Sequence, residues 1–139
     1  MPDLSIFVRH AALDDAAILA SHQALSEQEA TQYRGSTLAS SKKVTQTLAL
    51  VAGVGTTVMG SLVATTGNEN DWSIDSVFVE SVSRDIGIGD ALVLACIREL
   101  RKLNATWLQS SALPGDRAMK NLFERHGLVA QTIIVGKRL

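Results

Sequence analysis

The chain of 139 residues has 46% hydrophobic residues, 19% charged residues and a formal net charge of −1, a composition typical of one globular domain. Its 13 Lys and Arg against 14 Asp and Glu leave no basic surplus for a nucleic-acid face, and an aromatic content of 4% offers little base stacking. The single cysteine, Cys96, excludes an internal disulfide framework and a cysteine-rich metal site, so we predict no bound metal.

The sequence contains no recognisable targeting or membrane signal. Residues Met1 to Asp3 lack the basic and apolar regions of a signal peptide. The longest apolar runs are far shorter than the about eighteen residues that cross a bilayer. We therefore expect a single domain over residues 1–139, located in the cytoplasm, with neither a membrane nor a nucleic acid as partner.

The first half of the chain predicts a strand, a helix and then three strands. Residues 5–9 form a short β-rich run, and the apolar spacing from Asp14 to about Gln32 indicates a helix. Three β-rich runs follow, and they are separated by a glycine-containing turn and a polar turn. This arrangement is typical of an antiparallel meander, with strands at 47–52, 57–63 and 73–79.

The second half predicts two helices and two strands. A glycine-rich turn leads into a helix over residues 91–103, and a strand at 106–110 follows. A short helix then ends before Gly127, and residues 131–135 predict a last strand. The order β-α-β-β-β-α-β-α-β contains a strand-helix-strand step that needs a parallel crossover, so it predicts an α/β fold with a mixed sheet packed by helices.

The turn before the second helix is the most informative segment. It reads Arg84-Asp85-Ile86-Gly87-Ile88-Gly89-Asp90-Ala91. Unpaired N–H groups at a helix N-terminus bind anions, and glycines let a phosphate approach the backbone. Arg84 adds a positive charge at the mouth of this turn. Two glycines at this spacing also fit an ordinary tight turn between a strand and a helix.

This turn resembles the pyrophosphate signature of the GCN5-related N-acetyltransferase (GNAT) superfamily, which reads Arg/Gln-x-x-Gly-x-Gly/Ala. It also lies at the place in the element order where that family has it. A second family motif is matched in outline by Asp116, Leu122, Phe123, Gly127 and Leu128. The resemblance implies a GNAT-like fold and a transferase that moves an acetyl group from acetyl-CoA to an amine of a small molecule or peptide.

The resemblance also implies where the cosubstrate acetyl-CoA binds. Backbone groups of the strand before the signature would hold its pantetheine arm, and the turn amides would hold its pyrophosphate. The residues assigned to this binding are Val77, Phe78, Val79, Arg84, Asp85, Ile86, Gly87, Ile88, Gly89, Asp90 and Ala91. The acceptor would meet the acyl group where this strand diverges from the next one, near Gln109 and Ser110.

Three residues depart from the family pattern. Asp85 and Asp90 place carboxylates beside a pyrophosphate, which weakens binding unless they point away or pair with a cation. Phe123 stands where many members carry a tyrosine that protonates the leaving thiolate, and a phenyl ring cannot donate a proton. Acid catalysis would then come from another group or from water.

Two residues are candidates for acid–base catalysis. Asp75 lies on the strand before the signature, where the family often has a carboxylate acting as general base; a hydrogen-bonded strand residue is the alternative. Tyr33, the chain's single tyrosine, follows the first helix and could donate a proton or shape the acceptor pocket, although packing is its more common role. His126 fits a helix cap, whereas His10 and His22 are isolated in the sequence.

Two function classes stay open. The first is an acyl-CoA-dependent N-acetyltransferase that works by direct transfer in a ternary complex, with much of the rate coming from proximity. The second is a GNAT-like module that binds acetyl-CoA and regulates a partner protein without turnover. Segments 75–77 and 82–84 are similar to those of an acetyl-CoA-dependent maturation factor of the same superfamily.

Other nucleotide folds fit less well, because the P-loop lysine and a Rossmann-type first strand, turn and helix are both missing. The segment after Gly127 allows one last strand, and a dimer mate could supply a second. We therefore keep a homodimer as a hypothesis.

Overall fold

The structure, a computed structural model, describes residues 5–35 and 43–139; the domain expected over 1–139 therefore includes residues that lie outside this description. The strands are β1 (Ile6–His10), β2 (Gln46–Val54), β3 (Thr57–Thr66), β4 (Asp71–Val79) and β5 (Trp107–Gln109), and the helices are α1 (Ala16–Ala30), α2 (Ile88–Lys102) and α3 (Arg117–Arg125). Short 3-10 turns precede α1 and follow β4, at Leu13–Asp15 and Ser81–Ser83. Of the helices described, none is both long and apolar enough to cross a membrane.

The five strands form one sheet in the order β1-β2-β3-β4-β5. The first four pair antiparallel, and β4 pairs parallel with β5. The parallel pair is connected through α2, as the strand-helix-strand step requires. The expected α/β fold with a mixed sheet is confirmed.

The main core lies between the sheet and the face that α2 and α3 cover. α2 buries Ile88, Leu92, Cys96 and Leu100, which recur every four residues and so form one apolar stripe. Burial raises the pKa of the Cys96 thiol to about 12, so the sulfur is a protonated core atom at neutral pH. Cys96 is thus part of the hydrophobic core.

Close packing at one glycine brings the start of α2 against the sheet. A Cβ atom at Gly60 in β3 would lie 2.8 Å from Cγ2 of Ile88 and 2.9 Å from the carbonyl oxygen of Phe78. Only a residue without a side chain fits this contact. The N-terminus of α2 is thereby held beside β3 and the end of β4, and this places the glycine-rich turn.

The prediction of a last strand at residues 131–135 is wrong. α3 is the last regular element of the described chain, and residues 129–139 are exposed. Ile133, Ile134 and Val135 have exposed fractions of 86%, 78% and 89%. β-branched residues favour extended backbone, but a strand also needs a neighbouring strand for its hydrogen bonds. Among residues 5–35 and 43–139 the segment pairs with no strand, so the element order described there ends with α3.

Candidate active site

A cavity of about 380 Å³ lies where β4 and β5 diverge. The two strands pair through Ser73 and Gln109, and the Ser110 hydroxyl then donates to the Ile74 carbonyl at 2.9 Å. Beyond that point the end of α1, the turn before α2, segment 110–113 and α3 form the walls. The volume suits a small-molecule site, and the divergence lies where the sequence predicts the meeting point of acceptor and acyl group.

Most of the predicted site residues meet in this cavity. Its lining includes Tyr33, Asp75, Val77, Phe78, Val79, Arg84, Asp85, Gly87, Ile88, Gly89 and Asp90. Ile86 and Ala91, both within the described chain, are not among the lining residues. The structure also adds two charged residues that sequence reasoning missed, Glu29 on α1 and Arg125 on α3.

Alternate residues of β4 direct their backbone groups towards the cavity. The Glu80 N–H donates to the Met59 carbonyl of β3 at 2.8 Å. Because hydrogen-bonding groups alternate along an antiparallel strand, the backbone of Phe78 also points to β3, whereas Val77 and Val79 point away from it. Val77 and Val79 therefore direct their backbone groups to the side where the resemblance implies the pantetheine arm, whereas Phe78 directs its backbone groups to β3. The Val79 carbonyl on that side accepts a hydrogen bond from Nε of Arg84.

The glycines of the turn have different roles. Gly87 is the N-cap of α2 and has φ +93°, a left-handed conformation that glycine adopts without strain. The N–H groups that follow it belong to the first helical turn, which leaves them without partners inside the helix. A Cβ atom at Gly89 would lie 3.4 Å from Cδ2 of Leu122, which is an ordinary van der Waals distance, so the packing of α3 does not by itself require glycine at this position.

The carboxylate of Asp90 is neutralised from α3. Nε and Nη2 of Arg125 lie 3.1 Å from its two oxygens, and Nε2 of His126 lies 2.8 Å from Oδ1. The hydrogen bond from Arg125 is the main reason why the pKa of Asp90 is lowered. Because its carboxylate is paired with a cation, Asp90 should repel a bound pyrophosphate less strongly than an unpaired aspartate would. His126 is also the C-cap of α3, as the sequence predicts.

Asp85 is less favourably placed than Asp90 for the binding of an anion beside the turn. Its side chain is exposed, its residue lines the cavity, and its φ of +70° lies in the left-handed region. Aspartate tolerates this conformation better than most residues but still less well than glycine. The turn therefore combines local strain with a negative charge on the side where an anion is expected.

Arg84 is held by two groups of the protein. Its Nε donates to the Val79 carbonyl at 3.0 Å, and its Nη2 lies 2.7 and 2.9 Å from the carboxylate oxygens of Glu29. Glu29 and Arg84 are 55 positions apart, so no local spacing in the sequence indicates this ion pair. The cation expected to meet the pyrophosphate already has an anionic partner on α1.

Asp75 projects from an irregular position of β4. The register with β3 shifts between Val63 and Ala64, opposite Asp75, and such bulges often redirect a side chain beside a functional site. Oδ2 accepts a hydrogen bond of 2.6 Å from the Thr65 hydroxyl, and Oδ1 accepts one of 3.3 Å from the Ser73 hydroxyl. These bonds orient an exposed carboxylate in the cavity wall.

Two aromatic residues line other parts of the cavity. Tyr33 follows α1, is half-buried, and its Cδ1 lies 3.7 Å from the Cβ position of Gly115. Phe123 on α3 is buried and brings no hydroxyl group. Because the chain has a single tyrosine, Tyr33 is its only phenol that could donate a proton in this cavity.

His22 is the centre of a buried polar cluster that the sequence does not reveal. Its side chain is 2% exposed, with Nδ1 lying 2.8 Å from Oγ of Ser61 and Nε2 lying 3.4 Å from Oε1 of Glu80. Its ring centre lies 4.9 Å from that of Phe78. These contacts hold α1 against the end of β4, and they thereby position the cavity wall that α1 forms.

The chain matches the family model described as Acetyltransferase (GNAT) family over residues 9–128. No curated protein sequence is significantly similar to it. Among solved structures, it is similar to aminoglycoside acetyltransferase meta-AAC0020 from an uncultured soil metagenomic sample, with a TM-score of 0.72, 16% identity and coverage of 100% of this chain and 98% of that one.

Two further structures are similar over nearly their full lengths. Ribosomal-protein-alanine N-acetyltransferase from Brucella melitensis biovar Abortus 2308 has a TM-score of 0.70 and 19% identity, covering 97% of this chain and 100% of that one. Aminoglycoside N-acetyltransferase AAC(6')-Iy in complex with CoA has a TM-score of 0.71 and 11% identity, covering 97% and 95%. At these identities the likeness shows a shared fold.

Proposed function

The chain belongs to the acetyltransferase (GNAT) family, and we propose that it transfers an acetyl group from acetyl-CoA directly to an amine held in the same cavity. The observation that carries this proposal is the continuity of the cavity. It joins the free edge of β4 and the N-terminus of α2 to a slot lined by Asp75 and Tyr33.

The residues present fit the chemistry of acetyl-CoA. Val77 offers N–H and C=O groups at an open strand edge, which suit an amide-containing arm. The first turn of α2 offers N–H groups and the positive end of the helix dipole, which suit a pyrophosphate. Similar structures solved with CoA and with a bisubstrate analogue of CoA support the same assignment.

Bound acetyl-CoA supplies a thioester whose carbonyl carbon can accept a nucleophile. In the proposed reaction the amine nitrogen forms a bond to that carbon, the carbon–sulfur bond breaks, and sulfur departs with the electron pair. Asp75 takes the proton that the nitrogen loses, directly or through one water molecule. Thr65 and Ser73 keep its carboxylate in a fixed orientation for this step.

Tyr33 is the group that we assign to protonation of the departing sulfur. The family's usual tyrosine position is occupied by Phe123, and Tyr33 lines the same cavity from the end of α1. A phenol there can donate a proton to the thiolate and later regain one from water. Holding both reactants together supplies the larger share of the rate, as in any direct transfer.

Release of free thiol from acetyl-CoA, followed with a panel of amines, tests the activity. The panel contains aminoglycosides, peptides with a free N-terminus, lysine peptides and polyamines. We expect one class to give saturable thiol release, and Asp75→Asn to lower that rate by about a hundredfold or more while CoA binding is retained. Binding of acetyl-CoA without release for any amine would instead favour a regulatory module.

The second candidate, a module that binds acetyl-CoA and regulates a partner, is favoured by one observation. Phe123 removes the family's usual proton donor from α3, and Tyr33 replaces it only if its hydroxyl reaches the sulfur. Purification of the tagged chain with and without acetyl-CoA separates the two candidates. A partner retained in a defined ratio only with the ligand supports the regulatory function.

A homodimer in the cytoplasm remains part of the proposal. The exposed apolar run Ile133 to Val135 is the feature that supports association of two copies. Sedimentation of the chain at working concentration tests this association, and a monomer in solution would contradict the homodimer.

A further inference from the structure

The side chain of Arg84 lies across the free edge of β4. Its Nε–H is bonded to the Val79 carbonyl, and its guanidinium carbon lies 5.8 Å from the centre of the Phe78 ring. Nη2 makes both of its short contacts with one carboxylate, that of Glu29. The guanidinium is therefore fixed by a carbonyl, an aromatic face and a carboxylate at the same time.

Both polar partners of Arg84 lie where acetyl-CoA would bind in the proposed complex. The Val79 carbonyl belongs to the strand edge on which the pantetheine arm would lie. The Glu29 carboxylate neutralises the positive charge that a pyrophosphate would use. Glu29 also lines the cavity, so a bound pyrophosphate would meet a second anion competing for the same guanidinium.

A ligand can displace Glu29 from its ion pair with Arg84. The Arg84 and Glu29 side chains keep 44% and 40% of their surface exposed, so water screens the attraction between them. Exposed pairs of this kind contribute little to stability. A pyrophosphate that also gains the N–H groups of α2 would compete effectively with a single carboxylate.

The geometry points to Glu29 as a positioning residue that competes with the pyrophosphate for Arg84 and so lowers the affinity for pyrophosphate-bearing acyl carriers. The inference rests on the proposed function, since it requires acetyl-CoA in this cavity. Without the carrier, Glu29 holds Arg84 on β4. With the carrier, the guanidinium exchanges Glu29 for the pyrophosphate, and the contact between the end of α1 and the turn is released.

Calorimetric titration of the wild-type chain, Glu29→Gln and Glu27→Gln with two ligands tests the inference. CoA carries the pyrophosphate, and S-acetylpantetheine lacks it. Glu27 is an exposed carboxylate on the same helix that accepts a hydrogen bond from Gln23, so its variant controls for the loss of one charge on α1. Thermal melts confirm that all variants fold.

We expect Glu29→Gln to bind CoA about two- to fivefold more tightly, the range that an exposed ion pair supports. Glu27→Gln should match the wild type, and the affinity of Glu29→Gln for S-acetylpantetheine should be unchanged. In a background of Arg84→Gln, the change at Glu29 should lose most of its effect on CoA, because the two side chains act on one contact.

Three results would overturn the role of Glu29. They are unchanged or weaker CoA binding by Glu29→Gln, an equal gain for S-acetylpantetheine, and an equal gain from Glu27→Gln. If the wild-type chain does not bind CoA at all, the proposed function fails and this inference fails with it. If the wild type binds CoA but Glu29→Gln brings no gain, the inference alone fails.

Discussion

Arg125 of α3 binds Asp90 of α2 through two hydrogen bonds of 3.1 Å, one from Nε and one from Nη2. This contact joins the last helix to the first turn of the helix that carries the proposed pyrophosphate site. It also compensates a negative charge that the glycine-rich turn would otherwise present to an anion. The pair therefore serves the folded structure and the site together.

The first prediction concerns acid stability. The pKa of Asp90 is lowered in the folded chain, so its pairing contributes fully above the ordinary aspartate pKa and is lost as pH falls through the lowered value. Because the Asp90 side chain is 43% exposed, the contribution should be below about 1 kcal/mol. Asp90→Asn should reduce the loss of melting temperature as pH falls from about 4.5 to about 2.5.

Melting curves of the wild type, Asp90→Asn and Lys120→Gln across that range check this prediction. Lys120 forms a surface pair of 3.6 Å with Glu124 on the same helix as Arg125, so its variant is a matched control. Equal acid sensitivity in all three proteins would show that the Asp90 pair contributes nothing.

The second prediction concerns Asp85. Asp85→Asn keeps a residue that tolerates positive φ and removes the charge, so CoA should bind about two- to tenfold more tightly at low salt. The gain should shrink as salt is raised, since exposed charges are screened. Calorimetry at two salt concentrations measures this, with Asp14→Asn, an exposed aspartate of the first 3-10 turn, as control.

Asp85→Gly gives a further comparison with Asp85→Asn. Glycine relieves the strain at φ +70° but gains freedom in the unfolded chain, so the two effects on stability should roughly cancel. Its affinity for CoA should match that of Asp85→Asn. A gain that appears only with glycine would assign the effect to backbone strain instead of charge.

The third prediction concerns His22. His22→Ala removes the buried partner of Ser61 and the contact with Phe78, which should cost about 2–3 kcal/mol. For a domain of this size the melting temperature should fall by roughly 6–12 °C. His10, 65% exposed, provides the control His10→Gln, which should change stability little. A fall of less than 2 °C for His22→Ala would contradict a stabilising cluster.

The fourth prediction concerns Tyr33. If its hydroxyl protonates the departing sulfur, Tyr33→Phe should lower kcat by about a hundredfold, with little change in CoA affinity. A raised KM for the amine with unchanged kcat would assign Tyr33 to the shape of the acceptor pocket.

Local sequence patterns are sufficient for much of the fold. The stripe through Leu92, Cys96 and Leu100 defines α2 and its buried face. The glycine-rich turn indicates only roughly where the helix begins, because the helix expected from residue 91 starts at Ile88, with Gly87 as its N-cap. These features arise from neighbours within a few residues. The predicted strand at 131–135 fails because strand formation also depends on a distant partner that the local pattern does not specify.

The charge arrangement of the site was less predictable for the same reason. Asp85 and Asp90 look equivalent in the sequence, yet Arg125, 35 positions away, reaches only Asp90. Glu29 meets Arg84 across 55 positions, and His22 meets Glu80 across 58. Such contacts are set by how α1 and α3 pack, so they follow from the fold and not from spacing.

Thermal unfolding with acetyl-CoA, CoA and ATP tests the central claim most directly. At a hundred times its Kd a ligand stabilises the folded chain by about 2.7 kcal/mol, which should raise the melting temperature by several degrees. We predict that acetyl-CoA and CoA both raise it and that ATP does not. Equal melting temperatures with all three ligands, or a rise with ATP alone, would contradict an acyl-CoA site in this cavity.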